Sequence, residues 1–301
     1  MTAQGSLAEL ISGDVRFCLV GAEAEEVAMA WYSRESSGRA VGIGAICFVL
    51  LATASQWPEW TVLNIAHRGG IVPGYAENTL AAYRRAISYG VDVIEIDLRG
   101  TRDGEVIILH DETLDRTTDG TGEVTDYTLG QLKQLNAGEG ESIPTYAEVL
   151  KLVAGTGVKL LLDIKVSPVL DKEQVVRLTE SHDAVLDVIV GVRTLDDLRQ
   201  FRKLNPNIRT LGFIRRPEDI DGFVAAGIDI IRLWPEWIRA DPEIVGKVQG
   251  LGKPVWTTAG DAPREVLEEL IHSGVNGILS DCPEVTSRVM ADLEAKRRGI
   301  Q

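Results

Sequence analysis

His67-Arg68-Gly69-Gly70 closes one short apolar run, Glu95 and Asp97 sit two apart in a second, and His110-Asp111 ends a third. Asp163 and Lys165 repeat the two-residue spacing in a fourth. Residues two apart on a strand point to the same face, so each pair presents two ionisable groups to one place. Three carboxylates (Glu95, Asp97, Asp163) gathered there repel one another unless a cation sits among them. An all-oxygen donor set favours Mg2+ or Ca2+ over zinc. His67 and His110 are two of four histidines, and an imidazole pair beside such a cluster can supply a general base and a general acid near neutral pH. Arg68 and Lys165 are then the positive charges that hold an anion, Arg being suited to two-point contact with an oxyanion. His182 and His272 lie on helical stretches without such company and read as surface residues.

These groups need a scaffold that brings strand ends together. After Trp57-Pro58 the chain alternates apolar strand candidates with amphipathic helix candidates. The strands are expected at Val62–Ala66, Val91–Asp97, Val106–His110, Lys159–Ile164, Val185–Val190, Arg209–Phe213, Ile228–Leu233, Pro254–Thr257 and Gly277–Ser280. Helices are expected at Thr79–Tyr89, Thr145–Ala154, Leu195–Leu204, Ile238–Gln249 and Arg264–His272, among others. Such alternation implies an α/β fold with a parallel sheet, closed as a (β/α)8 TIM barrel. Nine strands are one too many. Asp103-Gly104 is a two-residue hairpin signal, and a hairpin centred there pairs Asp97 with His110. The segment from about 98 to 143 therefore reads as a small insertion after the second strand, which leaves eight parallel strands.

Composition narrows the role. The chain has 301 residues, 45% of them hydrophobic, and a formal net charge of −14. That is a globular protein with enough length for one barrel-sized domain. An acidic body repels nucleic acid and anionic membrane, so binding to nucleic acid is excluded as a role. Three cysteines, Cys18, Cys47 and Cys282, make neither a disulfide framework nor a zinc pattern. Residues 1–28 show no core pattern. In residues 29–54, Arg34 and Arg39 precede an uncharged apolar run from Ala40 to Ala54 that ends Ala52-Thr53-Ala54. Basic region, short apolar run and small-residue site make a signal peptide, or else a membrane anchor through 40–54. The expected location is exported or membrane-anchored, with the barrel beginning at Ser55.

With those residues assembled, the chain resembles the glycerophosphodiester phosphodiesterase family. Ile65-Ala66-His67-Arg68-Gly69 with Glu77-Asn78-Thr79 is similar to that family's opening motif. Glu95-x-Asp97, Thr101-Arg102-Asp103-Gly104 and the run from His110 to Thr118 resemble its second block. Ile143-Pro144-Thr145, Leu162-Asp163-Ile164-Lys165, Val255-Trp256-Thr257 and the stretch from Gly274 to Asp281 resemble later ones. The resemblance covers about residues 61–290. It implies a TIM barrel with a small insertion and metal-dependent hydrolysis of a glycerophosphodiester to glycerol 3-phosphate and an alcohol. It also implies that His67 and His110 are the acid/base pair, that Glu95, Asp97 and Asp163 bind the metal, and that Arg68, Glu77 and Lys165 organise phosphate and metal. Asp163 stands where the family often has Glu, one methylene shorter. Two other roles fit the same scaffold. A lipid-directed phosphodiesterase needs an apolar lip, which Trp234, Trp237 and Trp256 would supply, and a non-catalytic binding module is disfavoured because both histidines are present.

Overall fold

The computed structural model describes residues 62–165 and 167–299. The signal-peptide or anchor segment expected at 29–54, and residues 1–28, lie outside the described residues. Eight parallel strands close into a barrel: β1 (Leu63–Ala66), β2 (Val93–Gly100), β4 (Lys159–Ile164), β5 (Val188–Val192), β6 (Arg209–Gly212), β7 (Ile230–Leu233), β8 (Val255–Gly260) and β9 (Gly277–Ser280). Closure comes from β1, which pairs with β9 through Ile65–Leu279 and with β2 through Ile65–Val93. The ninth strand, β3 (Val106–Ile108), pairs antiparallel with the outer end of β2.

Period-two alternation builds two concentric cores from the same strands. Ile94, Ile96, Leu98, Leu160, Leu162, Val188, Val190 and Ile231 join helix residues such as Tyr83, Val149, Leu198 and Leu267 in the outer core. The alternate residues, among them Ile65, Leu161, Ile189, Leu211 and Ile230, are fully buried on the other face and fill the interior. Continuing that inner row past the strand centres brings in the polar groups of the C-terminal ends, where barrel enzymes keep their chemistry.

The helices begin where their caps dictate. Thr79 caps α1 (Leu80–Ser88), Thr128 caps α2 (Leu129–Leu132) and Thr145 caps α3 (Tyr146–Val153), the last two as capping boxes. Around the barrel follow α4 (Lys172–Ser181), α5 (Leu195–Leu204) and α6 (Ile220–Ala225). The helix expected over 238–249 is instead two, α7 (Pro235–Ala240) and α8 (Ile244–Gly250). Asp241-Pro242 explains the break, because proline withdraws an N–H and disfavours helix in the residue before it. The last two are α9 (Arg264–His272) and α10 (Pro283–Arg297). Among the described residues no helix is long and apolar enough to cross a membrane.

The hairpin is real but its register differs by one residue from the expected one. Leu98 pairs with Ile108 and Gly100 with Val106. The turn is a three-residue loop: Gly104 N–H donates to Thr101 O, Thr101 N–H to Glu105 O, and Gly104 takes φ 82°. That geometry is the three-residue alternative to a two-residue Asp-Gly turn. As a result Asp97 faces Leu109, whose N–H it accepts at 3.0 Å, and not His110. The insertion that follows owns a separate small core of Ile107, Leu109, Leu114, Val124, Leu132, Ala137 and Ile143.

Candidate active site

β1 runs out into a tight turn, His67–Gly69, in which Arg68 takes the left-handed region at φ 52°. A side-chain-bearing residue is held there only when its surroundings over-determine it. They do. The Arg68 N–H donates to Glu95 Oε2 at 3.0 Å, and its guanidinium meets Glu77 Oε1 at 2.9 Å and Asp97 Oδ2 at 3.3 Å. Gly69 follows at φ 84°, and a Cβ on it would stand 2.7 Å from the Tyr83 ring.

Glu95, Asp97 and Asp163 all turn inward and are buried, with candidate ligand oxygens within 4.8 Å of one another. Burial, reinforced by the Asp97 charge, pushes the Glu95 carboxyl up to about 8. Asp163 moves the other way: burial would raise it, but Lys165 and Arg193 hold it below the usual carboxylate range. Lys165 Nζ stands 2.7 Å from Asp97 Oδ1 and 2.6 Å from Asp163 Oδ2, while Arg193 reaches Asp163 Oδ1 at 2.5 Å. Asp97 Oδ1 and Asp163 Oδ1 are nonetheless buried without an aligned hydrogen-bond donor. Three inward carboxylates, two with such oxygens, are a donor set that fits Mg2+ or Ca2+.

The two histidines are anchored alike. His67 Nδ1 lies 2.5 Å from Asp281 Oδ1, and His110 Nδ1 lies 2.6 Å from Asp111 Oδ1. A carboxylate has no proton to give, so each Nδ1 donates and each Nε2 is left for a substrate. His67 Nε2 is 4.0 Å from Glu95 Oε2. Burial pulls the His67 pKa down, but the Asp281 hydrogen bond and the Glu95 charge outweigh it and the net shift is upward. Arg99 fixes His110 from below, donating twice to its carbonyl at 2.7 and 3.0 Å.

One charge network joins the two sides. Asp111 pairs with Arg116 at 2.6 Å, Arg116 with Glu77 at 2.7 Å, and Glu77 with Arg68. Arg116 holds Asp111 well below the usual carboxylate range. Asn78, buried and oriented by the Tyr83 hydroxyl at 2.9 Å, donates to Asp97 Oδ2 at 2.7 Å. Beside Glu77, Arg116 and Tyr75 opens a groove of about 500 Å³.

Seven of the eight residues singled out in the sequence adjoin one another directly, and His110 joins them through Asp111, Arg116 and Glu77. Arg68 and Lys165 both lie against carboxylates rather than standing free. Asn78, Asp111, Arg116 and Asp281 stand in the sequence motifs without an assigned role, and Arg193 stands in none of them. Asp281 directly follows the last residue of β9, so the strand-end rule could have found it, and Asp111 adjoins His110. Of the three tryptophans, Trp256 is buried and Trp237 packs on the outer core, while half-buried Trp234 follows β7 and stacks on Arg232.

A model described as the glycerophosphoryl diester phosphodiesterase family matches residues 67–225. A glycerophosphodiester phosphodiesterase of Caldanaerobacter subterraneus is 33% identical over 233 residues, covering 74% of this chain and 95% of that one. Among solved structures, a glycerophosphoryl diester phosphodiesterase of Parabacteroides distasonis is similar with a TM-score of 0.70 at 28% identity, covering 79% of this chain and 89% of that one. An Oleispira antarctica phosphodiesterase solved with the product sn-glycerol-3-phosphate is similar with a TM-score of 0.68 at 25% identity, covering 75% and 96%. Motifs, barrel and matches agree, and the chain belongs to the glycerophosphoryl diester phosphodiesterase family.

Proposed function

We propose that this protein hydrolyses glycerophosphodiesters to glycerol 3-phosphate and an alcohol. The observation that carries it is the pair of histidines, each with Nδ1 tied to its own carboxylate, beside a buried carboxylate triad. Glu95, Asp97 and Asp163 would hold a divalent ion, Mg2+ or Ca2+, which when bound supplies Lewis-acid polarisation of phosphoryl oxygens. One histidine takes the proton from the substrate's own glycerol hydroxyl as that oxygen attacks phosphorus. The other gives a proton to the departing alcohol oxygen as its bond to phosphorus breaks, leaving a cyclic phosphate. Water then opens the ring with the two roles exchanged. Arg68 orients the phosphoryl group and opposes its growing negative charge. Glu77 keeps Arg68 and Arg116 in place, and Lys165 balances Asp97 and Asp163.

The test is release of glycerol 3-phosphate from a panel of glycerophosphodiesters, with and without chelator. No release from any of them with Mg2+ or Ca2+ present would end this reading. His67→Ala and His110→Ala should each lose on the order of 10²–10⁴ in turnover. A nitrophenyl ester, whose alcohol leaves without protonation, should rescue only the variant lacking the acid. For location, we propose export with cleavage near Ser55, tested by N-terminal sequencing from the native host. Intact residues 40–54 on a soluble form would refute it.

A further inference from the structure

The side of the barrel formed by β5–β7 carries charge that this reaction does not use. β7 reads Ile-Ile-Arg-Leu, and inside that apolar strand Arg232 is only 6% exposed. Ile231 and Leu233 belong to the outer core, so Arg232 points the other way, inward at the C-terminal end of the barrel. Among the described residues no carboxylate comes within ion-pair distance of it, and its buried Nε has no hydrogen-bond partner. Its guanidinium is gripped by rings instead, 3.6 Å from the centre of Trp234 and 5.2 Å from that of Phe213. Arg193, one residue past β5, reaches the same Phe213 ring at 5.1 Å while pairing with Asp163.

Burial, with the Arg193 charge added, pushes Arg232 down to about 10, so it remains a cation at neutral pH. The Asp163 and Glu236 charges offset this shift only in part; a buried cation without an ion-pair partner is costly, and a buried polar group left unsatisfied needs a reason. Contact with the rings supplies no hydrogen-bond acceptor, so the N–H fork, which matches a planar carboxylate, is left to be satisfied. Asp163 pairs with Arg193, and Arg193 shares the Phe213 ring with Arg232, so the fork lies on the side of the barrel next to the triad.

We propose that Arg232, assisted by Arg193, forms a second anion subsite that receives a carboxylate carried by the alcohol portion of the diester. This rests on the phosphodiesterase reading above and narrows it: the preferred substrate is a glycerophosphodiester whose leaving alcohol is itself acidic. Arg232 is then a specificity residue for an alcohol that the histidines and the triad do not select.

Glycerophosphoserine and glycerophosphoethanolamine differ by that one carboxylate. Wild-type kcat/KM should favour the serine ester at least tenfold, about the worth of one charge-assisted pair. Arg232→Met keeps the stem and removes the fork, and should bring the ratio to about one by raising KM for the serine ester. Arg232→Lys keeps the charge without the fork and should retain part of the preference. Equilibrium binding of both esters to His110→Ala protein reads the same difference without turnover. A wild-type ratio near one overturns the proposal, as does an equal loss for both esters in Arg232→Met. If that variant does not fold by circular dichroism, Arg232→Lys decides: an undiminished preference overturns the proposal and a reduced one supports it. Failure to hydrolyse these or any other ester of the panel sinks the phosphodiesterase reading itself, whereas turnover of other esters with neither of these two hydrolysed, or equal hydrolysis of both, refutes only the carboxylate subsite.

Discussion

Asp281→Asn removes one oxygen's charge and leaves the backbone of the β9 end unchanged. In the wild type, Asp281 Oδ1 meets His67 Nδ1 at 2.5 Å, with both side chains only about one-fifth exposed. A charge-assisted bond of this kind contributes about 1.5–3 kcal/mol, which sets a floor of roughly tenfold to a hundredfold on the loss of turnover. The amide adds a second penalty. Its NH2 can donate to Nδ1 and so move the imidazole proton to Nε2, the atom that must face substrate; in a triad of this logic the wrong tautomer costs up to about 10⁴. The expected result is a kcat lower by about 10² to 10⁴ with KM little changed, because Arg68 and the triad still hold the phosphate. The pH profile supplies an independent readout. Asp281 is the main influence raising the His67 pKa against its burial, so the limb governed by His67 must move to lower pH in the variant. If the acid limb moves, His67 is the base; if the alkaline limb moves, it is the acid. The assay is coupled detection of glycerol 3-phosphate across pH, with circular dichroism to confirm folding. A kcat within threefold of wild type and an unmoved profile would refute the argument.

Chelation should abolish turnover and added Mg2+ or Ca2+ restore it, while the melting temperature stays high because Lys165 and Arg193 already neutralise Asp97 and Asp163; full activity after exhaustive chelation and dialysis would remove the metal. Glu77 resists its own burial through Arg116 and Arg68 and titrates below its ordinary value. Its contribution to stability is therefore present above the unfolded carboxyl pKa of about 4.3 and lost as pH falls through the folded one. Glu77→Gln should lower the melting temperature at pH 7 and converge on wild type as the pH falls below the folded carboxyl pKa, and parallel curves down to the acid limit of folding would contradict this. Gly69→Ala should cost about 1–3 kcal/mol in denaturant titrations, since it combines a left-handed backbone with a methyl 2.7 Å from Tyr83; an unchanged midpoint would show that the turn relaxes freely.

The parts of this site that could be read from sequence are those set by alternation within one strand. Glu95 with Asp97, and Asp163 with Lys165, needed only period two and an inward face. His67 and His110 needed only the end of an apolar run. What escaped depends on which strand ends meet across the closed barrel. Asp281 reaches His67 because β9 closes on β1, and nothing local to either residue announces that. Arg193 and Arg232 likewise meet at Phe213 from three different strand ends. Arg232 still left a trace, since a lone arginine amid Ile230, Ile231 and Leu233 contradicts a buried strand unless the barrel wants a charge there. The register slip at Asp103-Gly104 had another origin. Asp-Gly suits both a two-residue and a three-residue loop, and Thr101, whose hydroxyl accepts from Glu105 N at 3.0 Å and meets Asp103 Oδ1 at 2.6 Å, selects the longer one.

The insertion after β2 has a core of its own, seven buried residues that pack apart from the outer core of the barrel. Small cores open more readily than large ones, and proteins open in such units before they unfold globally. His110 sits on the edge of this unit while His67 and the carboxylate triad belong to the barrel. Hydrogen exchange should therefore find the amides of 106–143 less protected than those of β4 to β6. On warming, inactivation should precede the loss of helical signal, because the two histidines part company while the barrel is still closed. The seams between the two units include the β2–β3 pairing, the Arg99 contact to the His110 carbonyl and the Arg116–Glu77 ion pair, so the alignment of one histidine with the other is carried by such joints.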